Sequence, residues 1–389
     1  MKIPLSAPDI SEEDIQTVAE VLRSSRLSMG PMVEEFEHAI ANYIGAPHAI
    51  AVNSGTGGLH LCVRALGIGE GDEVIVPSFA FIAVANVIRY EKAIPVFVDI
   101  EPETLNLDPR LIEAAITPRT KAIIVVHTFG LPADLTAIRH IARRHDLRVI
   151  EDACEAIGAE YSRQKVGVLG DAGVFAFYPN KQITTGEGGT VVTQNAEIAA
   201  LIKRLRNQGR SDSEDWLQHS ELGYNYRISD VNCALGIGQL KRIQTILDRR
   251  DAIAHEYHQR LVSHPDLRLP LLTVPDRTIS WFVYAIRLGN SFTQIHRDWI
   301  MKEMNLRGIG CGRYFAPIHL QPIYRFSAVP RVELPVTEFN AERSLALPFF
   351  NRIRAQQIDE VCRTLVELID LVGSLRRSPR ISGQASHLD

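Results

Sequence analysis

An α/β fold with a mostly parallel central sheet, followed by a smaller α/β unit, is predicted by three features of the sequence. Short β-rich runs alternate with helical segments through the first half of the chain. Beyond a charged first residue in some, those runs are apolar, as expected of strands covered on both faces. Beyond Pro265 the same alternation resumes on a smaller scale.

Ser11 with Asp14 three residues later resembles a capping box and opens a helix with Ile15, Val18 and Leu22 on one face. A break at Gly30-Pro31 precedes a second helix carrying Val33, Phe36, Ile40 and Tyr43. Strands are predicted at 49–52, 73–76, 94–98, 121–126 and 148–150, with a helix over 133–145 among them. Two more strands, 173–178 and 190–193, flank a turn that contains a lysine. A long helical stretch over 229–262 serves as connector, and the second unit has a strand at 281–288 and helices near 293–306 and 356–372. The expected division is a large domain over 1–262, a small C-terminal domain over 263–375 and a flexible polar tail over 376–389.

Composition narrows the function classes. The chain has 389 residues, 46% hydrophobic and 23% charged, the profile of a globular enzyme-sized protein. A formal net charge of -4 without a basic stripe argues against a nucleic-acid partner. Cys62, Cys154, Cys233, Cys311 and Cys362 are scattered and lack metal-ligand spacing, which predicts a reducing compartment, no structural disulfide and no metal site. No signal-type apolar run follows the first residues, and no stretch approaches the roughly 18 apolar residues of a membrane span. The expected location is the cytoplasm, away from membranes.

Three segments carry chemistry. In Phe175-Ala176-Phe177-Tyr178-Pro179-Asn180-Lys181, an apolar run ends in a lysine, and the turn Thr184-Thr185-Gly186-Glu187-Gly188-Gly189 follows closely. A lysine at the mouth of a core sheds water, which favours the neutral amine that attacks carbonyls to form a Schiff base. Upstream, Asn53-Ser54-Gly55-Thr56-Gly57-Gly58 joins a strand to a helix. Such a turn is either a phosphate cradle at a helix N-terminus or simply a tight turn. It matches neither a Walker loop nor the dinucleotide Gly-x-Gly-x-x-Gly spacing. Third, Glu151-Asp152 ends a buried strand at the edge where α/β proteins place ligands. Either one carboxylate caps a following helix, or Asp152 faces a cationic ring nitrogen. Cradle, carboxylate and lysine together are what pyridoxal phosphate requires as anchor, electronic tuner and covalent tether.

With these segments in place, the chain resembles, over nearly its whole length, the sugar-nucleotide aminotransferases of the DegT/DnrJ/EryC1/StrS group. The resemblance also rests on Val76-Pro77-Ser78-Phe79, Gly223-Tyr224-Asn225-Tyr226-Arg227 and Tyr314-Phe315-Ala316-Pro317-Ile318-His319-Leu320-Gln321-Pro322. It implies the aspartate aminotransferase-type fold, fold type I, with pyridoxal 5'-phosphate as cofactor. It further implies that Lys181 tethers the cofactor and shuttles the proton, and that Asp152 pairs with the ring nitrogen. Gly55 and Thr56 would hold the phosphate, helped by Asn225 from the other subunit of a homodimer with shared active sites. Phe81 matches the position that stacks on the ring, with an ordinary core phenylalanine as the alternative. Tyr314 and His319 are candidate sugar-nucleotide contacts, or plain packing.

Two positions depart from the family pattern. Ala176 stands where many members carry a phosphate-binding serine, and Glu155 stands where glutamine or histidine is common near the phenolic oxygen. Some members that make 4-amino-4,6-dideoxy sugars carry an acid at that place, so the resemblance implies a 4-keto-6-deoxyhexose substrate. The expected activity is transfer of an amino group from glutamate to a nucleotide-linked keto-sugar, in amino-sugar, surface polysaccharide or glycoside biosynthesis. The alternatives are a keto-cyclitol acceptor and a non-catalytic regulator that keeps the fold. Lys181 and Asp152 count against the regulator, and Lys181 counts against the dehydratases of this scaffold, which carry histidine there. The loops 27–32 and 212–222 are expected to select the substrate. Nothing in them encodes which nucleotide or sugar, or whether C3 or C4 is aminated.

Overall fold

The computed structural model describes residues 2–210, 218–325 and 331–377. Residues 212–217 of the expected selectivity loop and 378–389 of the expected tail lie outside the described residues. The N-terminal strands are β1 (His48–Val52), β2 (Glu73–Pro77), β3 (Ile94–Val98), β4 (Thr120–Val126), β5 (Arg148–Asp152), β6 (Glu160–Tyr161), β7 (Gln164–Lys165), β8 (Ala172–Ala176) and β9 (Gly189–Thr193). After them come β10 (Leu267–Arg268), β11 (Arg277–Thr278), β12 (Tyr284–Leu288) and β13 (Ser344–Leu347). Among the described residues the main sheet has seven strands in the order β1-β9-β8-β5-β4-β2-β3. Only β9 runs against the others, pairing antiparallel with both β1 and β8.

The helices are α1 (Glu12–Leu22), α2 (Pro31–Ile44), α3 (Gly55–Ala65), α4 (Ala83–Tyr90), α5 (Pro109–Ile112), α6 (Leu135–Arg144) and α7 (Ala196–Arg206). They continue with α8 (Asp230–Lys241), α9 (Ile243–Leu261), α10 (Gln294–Leu306), α11 (Pro322–Arg325), α12 (Pro335–Arg343) and α13 (Ala355–Arg377). Successive strand residues point to opposite faces, and each face meets its own helices. Ile123, Val149 and Val192 pack with Phe36 and Ile40 of α2 and Ile138 of α6, while Ile124, Ile150 and Val191 pack with Leu59 of α3, Val87 of α4 and Ile202 of α7. Each such side chain contributes about 1.5–3 kcal/mol on burial, which explains why the strands read as unbroken apolar runs. The sheet β10-β12-β13 carries a separate core, in which Tyr284 and Leu345 meet Tyr257 of α9, Ile300 of α10 and Leu365 of α13.

Three expectations need correction. In α1 the capping box of Ser11 and Asp14 is present, but Ile15 and Leu22 are 52% and 58% exposed. The buried residues of that helix include Asp14, which accepts hydrogen bonds from Gln239 Nε2 (2.7 Å) and Arg242 Nη2 (3.0 Å). The connector over 229–262 is two helices, interrupted at Arg242. No helix follows Asp152, so neither member of the acidic pair is a helix cap. Glu151 is instead a structural anchor, fully buried. It accepts from the N–H groups of Gly167 (2.7 Å), Leu169 (2.6 Å) and Gly170 (2.6 Å) and from His127 Nε2 (3.0 Å). The Ala133 N–H donates to His127 Nδ1, so the proton of that ring sits on Nε2. Burial alone would raise the Glu151 pKa, but the His127 bond and the backbone N–H groups outweigh it and hold it below the usual glutamate value. Among the described residues no helix is long and apolar enough to cross a membrane.

Glu151→Gln would set an NH₂ group against a nest of donors, and is expected to cost about 3 kcal/mol at neutral pH. Because the folded-state pKa is depressed, the stability supplied by Glu151 is fully present above the ordinary glutamate pKa of about 4.3 and is lost as pH falls through the lower, folded value. Urea unfolding of both proteins across pH 3 to 7 checks this, with the gap expected to narrow only below about pH 4.3.

Candidate active site

The parallel strands end at one edge of the sheet, where a doubly covered α/β fold leaves its ligand crevice. The segments that follow β1, β5 and β8 line it. After β1, Ser54 caps α3, taking the Gly57 N–H on its side chain (3.0 Å) and the Gly58 N–H on its carbonyl (3.0 Å). The N–H groups of Gly55 and Thr56, one residue buried and the other half-buried, make no hydrogen bond among the described residues. A β-carbon on Gly55 would lie 2.7 Å from Ala176 Cβ and 2.9 Å from Cys154 Sγ, so only glycine keeps this cradle open.

After β5, Asp152 is buried and its Oδ1 accepts the Cys154 N–H at 3.0 Å. Glu155, a little further on, is also buried, and its Oε2 accepts the Phe129 N–H at 3.0 Å. After β8, Lys181 brings Nζ to 3.6 Å from Glu155 Oε1 and 4.0 Å from the centre of the Phe282 ring, with its side chain only 14% exposed. Burial raises the Glu155 pKa, the nearby Lys181 charge and the Phe129 N–H oppose that rise, and Asp152 adds to it. Burial also pushes the Cys154 thiol well up, with Asp152 raising it further and Lys181 opposing. Cys154 therefore stands among the cradle, the aspartate and the lysine, and the structure brings Gly55, Asp152, Glu155 and Lys181 into one cluster.

Several of the enclosing groups come from far away in the sequence. Gln182 Nε2 donates to the carbonyls of Glu155 (2.6 Å) and Ser280 (2.9 Å), and Ser280 Oγ donates to the Ile157 carbonyl (2.6 Å). A β-carbon on Gly130 would fall 1.7 Å from the Ser280 carbonyl oxygen, and this glycine has φ +90°. Arg250, wholly buried, donates to the carbonyls of Trp281 and Phe282 (both 2.7 Å) and to Asn351 Oδ1 (2.9 Å). Burial pulls its pKa down to about 9. Tyr314 is half-buried, its hydroxyl 3.5 Å from Asn180 Nδ2 and its pKa raised by burial and by Glu155.

Phe81, Asn225 and His319 make no hydrogen bond or ion pair to this cluster among the described residues. Phe81 is 61% exposed, which removes the core alternative; the core phenylalanine of that turn is Phe79, fully buried. Asn225 is exposed, with its carbonyl 3.5 Å from Asn53 Nδ2. His319 is buried, with Nδ1 2.7 Å from Ser78 Oγ and Nε2 3.1 Å from Glu338 Oε1, so both ring nitrogens already have protein partners. It also borders a cavity of about 350 Å³ shared with Phe97 and Tyr324. Sequence reasoning missed Cys154, Asn180, Phe129 and Phe282. Cys154 and Asn180 adjoin residues already singled out and were within reach, whereas nothing in the sequence around Phe129 or Phe282 marks them.

Pyridoxal phosphate fits these residues. The glycine-only cradle has free N–H groups for an anion, Asp152 Oδ2 takes no hydrogen bond among the described residues, and Asn180 Oδ1 is buried without a partner beside Lys181. Comparison with known proteins agrees. The family model of the DegT/DnrJ/EryC1/StrS aminotransferase family matches residues 8–366. An uncharacterized protein of Methanocaldococcus jannaschii is 39% identical over 378 residues, covering 94% of this chain and 97% of its own. Among solved structures, DesV of S. venezuelae is 36% identical with a TM-score of 0.87, covering 95% of this chain and 99% of its own. DesI, solved in the presence of its TDP-sugar product, is 32% identical with a TM-score of 0.88, covering 97% of this chain and 96% of its own. The chain belongs to the DegT/DnrJ/EryC1/StrS aminotransferase family and is a pyridoxal-phosphate-dependent aminotransferase of fold type I.

Proposed function

We propose that this aminotransferase moves an amino group from glutamate to the ketone of a nucleotide-linked sugar, a 4-keto-6-deoxyhexose, in the cytoplasm. The observation that carries the reading is Lys181 held at 3.6 Å from Glu155 in the same buried cluster as Asp152. The TDP-sugar product of DesI supports the nucleotide-sugar class, and Glu155 supports the 4-keto acceptor.

When bound, pyridoxal phosphate supplies the electron sink that makes the carbon next to nitrogen acidic. The chain's residues do the rest. Gly55 and Thr56 bind the phosphate with their free N–H groups at the positive end of α3. Asp152 Oδ2 would face the ring nitrogen and favour its protonated form. Lys181 Nζ would hold the cofactor and serve as the general base for the proton transfers that the cofactor makes possible. Burial raises the Glu155 pKa against the pull of Lys181 and the Phe129 N–H, which would weaken its repulsion of a phenolic oxygen nearby. Phe81 covers the ring, and Tyr314 lines the sugar side of the crevice. His319 shapes that side by fixing Ser78 and Glu338. The large unit 1–262 carries the cofactor, while the smaller unit 263–375 contributes Phe282 and Tyr314. Asn225 completes the phosphate site of a second copy, which makes the working form a homodimer.

Loaded with pyridoxamine phosphate, the enzyme is expected to aminate a dTDP- or UDP-linked 4-keto-6-deoxyhexose in a single turnover, followed by mass spectrometry of the sugar. Amination of a keto-cyclitol alone would shift the acceptor class. Lys181→Ala is expected to lose at least about 10²–10⁴-fold in rate while its mass in solution and melting temperature hold. Retention of normal turnover would remove the lysine from the chemistry. Shared sites have their own check: mixing Lys181→Ala with Asn225→Ala protomers under subunit exchange is expected to restore activity that neither has alone. No restoration would mean that each chain uses its own Asn225.

A further inference from the structure

We infer that His60, Glu91, Tyr224 and Tyr226 form a clamp that orients Asn225, and that they are positioning residues for cofactor binding. This rests on Asn225 serving a phosphate site, as proposed above. The segment 223–227 is extended and tied along its backbone. Tyr224 N–H donates to the Leu205 carbonyl (2.7 Å), Tyr226 N–H to that of Arg206 (3.0 Å), and Asn53 N–H to the Tyr226 carbonyl (2.9 Å). In such a segment, neighbouring side chains point to opposite sides. Tyr224 and Tyr226 accordingly share one side, stacked at 5.0 Å with planes 14° apart, and Asn225 between them is exposed on the other.

What holds the two tyrosines is a polar cluster on α3 and at the end of α4. The Tyr226 hydroxyl lies 3.0 Å from His60 Nδ1, and His60 Nε2 lies 2.8 Å from Glu91 Oε1. The Tyr224 hydroxyl donates to the same Glu91 oxygen at 3.0 Å, while Arg64 reaches Glu91 Oε2 at 3.4 Å. A carboxylate only accepts, so His60 carries a proton on Nε2, directed at Glu91. The side chains of His60 and Glu91 are 5% and 12% exposed, so a broken bond here leaves an unsatisfied polar group with little water to replace it. Burial and Glu91 push the Tyr224 hydroxyl up to about 12, which keeps it a donor at neutral pH.

The clamp has a consequence beyond local stability, because α3 is also the helix that starts at Gly55 and Thr56. One rigid element therefore sets both the chain's own phosphate cradle and the outward aim of Asn225. Removing a single polar atom at Tyr226 or Glu91 takes no group from the cluster of Lys181, Asp152 and Glu155, and leaves the backbone of the α3 cradle in place while loosening the aim of Asn225.

A double-mutant cycle on pyridoxal phosphate affinity tests this, using fluorescence titration of the cofactor-free protein. Tyr226→Phe, which removes one oxygen, is expected to weaken binding about 3- to 10-fold, the worth of one hydrogen bond. Glu91→Gln is expected to do the same, and in both variants kcat at saturating cofactor stays near that of the parent. Adding Tyr226→Phe to Asn225→Ala is expected to weaken binding by no more than about twofold beyond Asn225→Ala alone. Full multiplication of the two losses, or unchanged affinity in Tyr226→Phe, would overturn the clamp and leave the phosphate role of Asn225 standing. Unchanged affinity in Asn225→Ala would overturn both.

Discussion

The amide of Gln182 fixes the site, because it ties the residue next to Lys181 to two other parts of the chain at once. Its NH₂ group donates to the carbonyl of Glu155 and to Ser280, so the lysine turn, the loop after β5 and the segment before β12 share one buried knot. Gly130 accepts the close approach of Ser280 from below, and Arg250 holds the next two carbonyls from above. With this knot in place, the Phe282 ring sits under Lys181 Nζ and the Glu155 carboxyl beside it. Catalytic geometry of this kind depends on supporting hydrogen bonds as much as on the reacting groups.

A second constraint is the alternation of β5. Adjacent residues of a strand face opposite ways, so two neighbouring acids carry unrelated duties. Glu151 turns into the protein and satisfies three backbone N–H groups and His127, which fixes the loop 167–170. Asp152 turns the other way, and its Oδ1 accepts the Cys154 N–H. Lys181 Nζ lies 3.6 Å from Glu155, and its charge opposes the rise that burial gives to the Glu155 pKa.

Much of this was legible in the sequence, for identifiable reasons. Lys181, Asp152 and Gly55 lie at strand ends, where a run of apolar residues stops at a polar or glycine-rich turn, and such boundaries are local signals. The capping box at Ser11 is likewise local and was read correctly. The face of α1 was not, because Asp14 is pulled inward by Gln239 and Arg242 from another helix, and no periodicity encodes a distant partner. The break at Arg242 escaped for a similar reason, since that side chain reaches back to Asp9 and Asp14. Phe129 and Phe282 were invisible because their importance comes from where the chain folds, not from what surrounds them in sequence. The exposure of Phe81 excludes the core reading, which the residue type alone could not.

The proposed mechanism centres on Lys181, and one measurement reaches it directly. Protein loaded with pyridoxal phosphate would be reduced with borohydride, digested and mapped by mass spectrometry, with and without prior exposure to glutamate. The expected result is a pyridoxyl adduct on the peptide containing Lys181 that is lost when glutamate is added first. An adduct on a surface lysine, or none at all, would contradict the assignment of Lys181 as the tether. An adduct on Lys181 that persists after glutamate treatment would contradict glutamate as the donor.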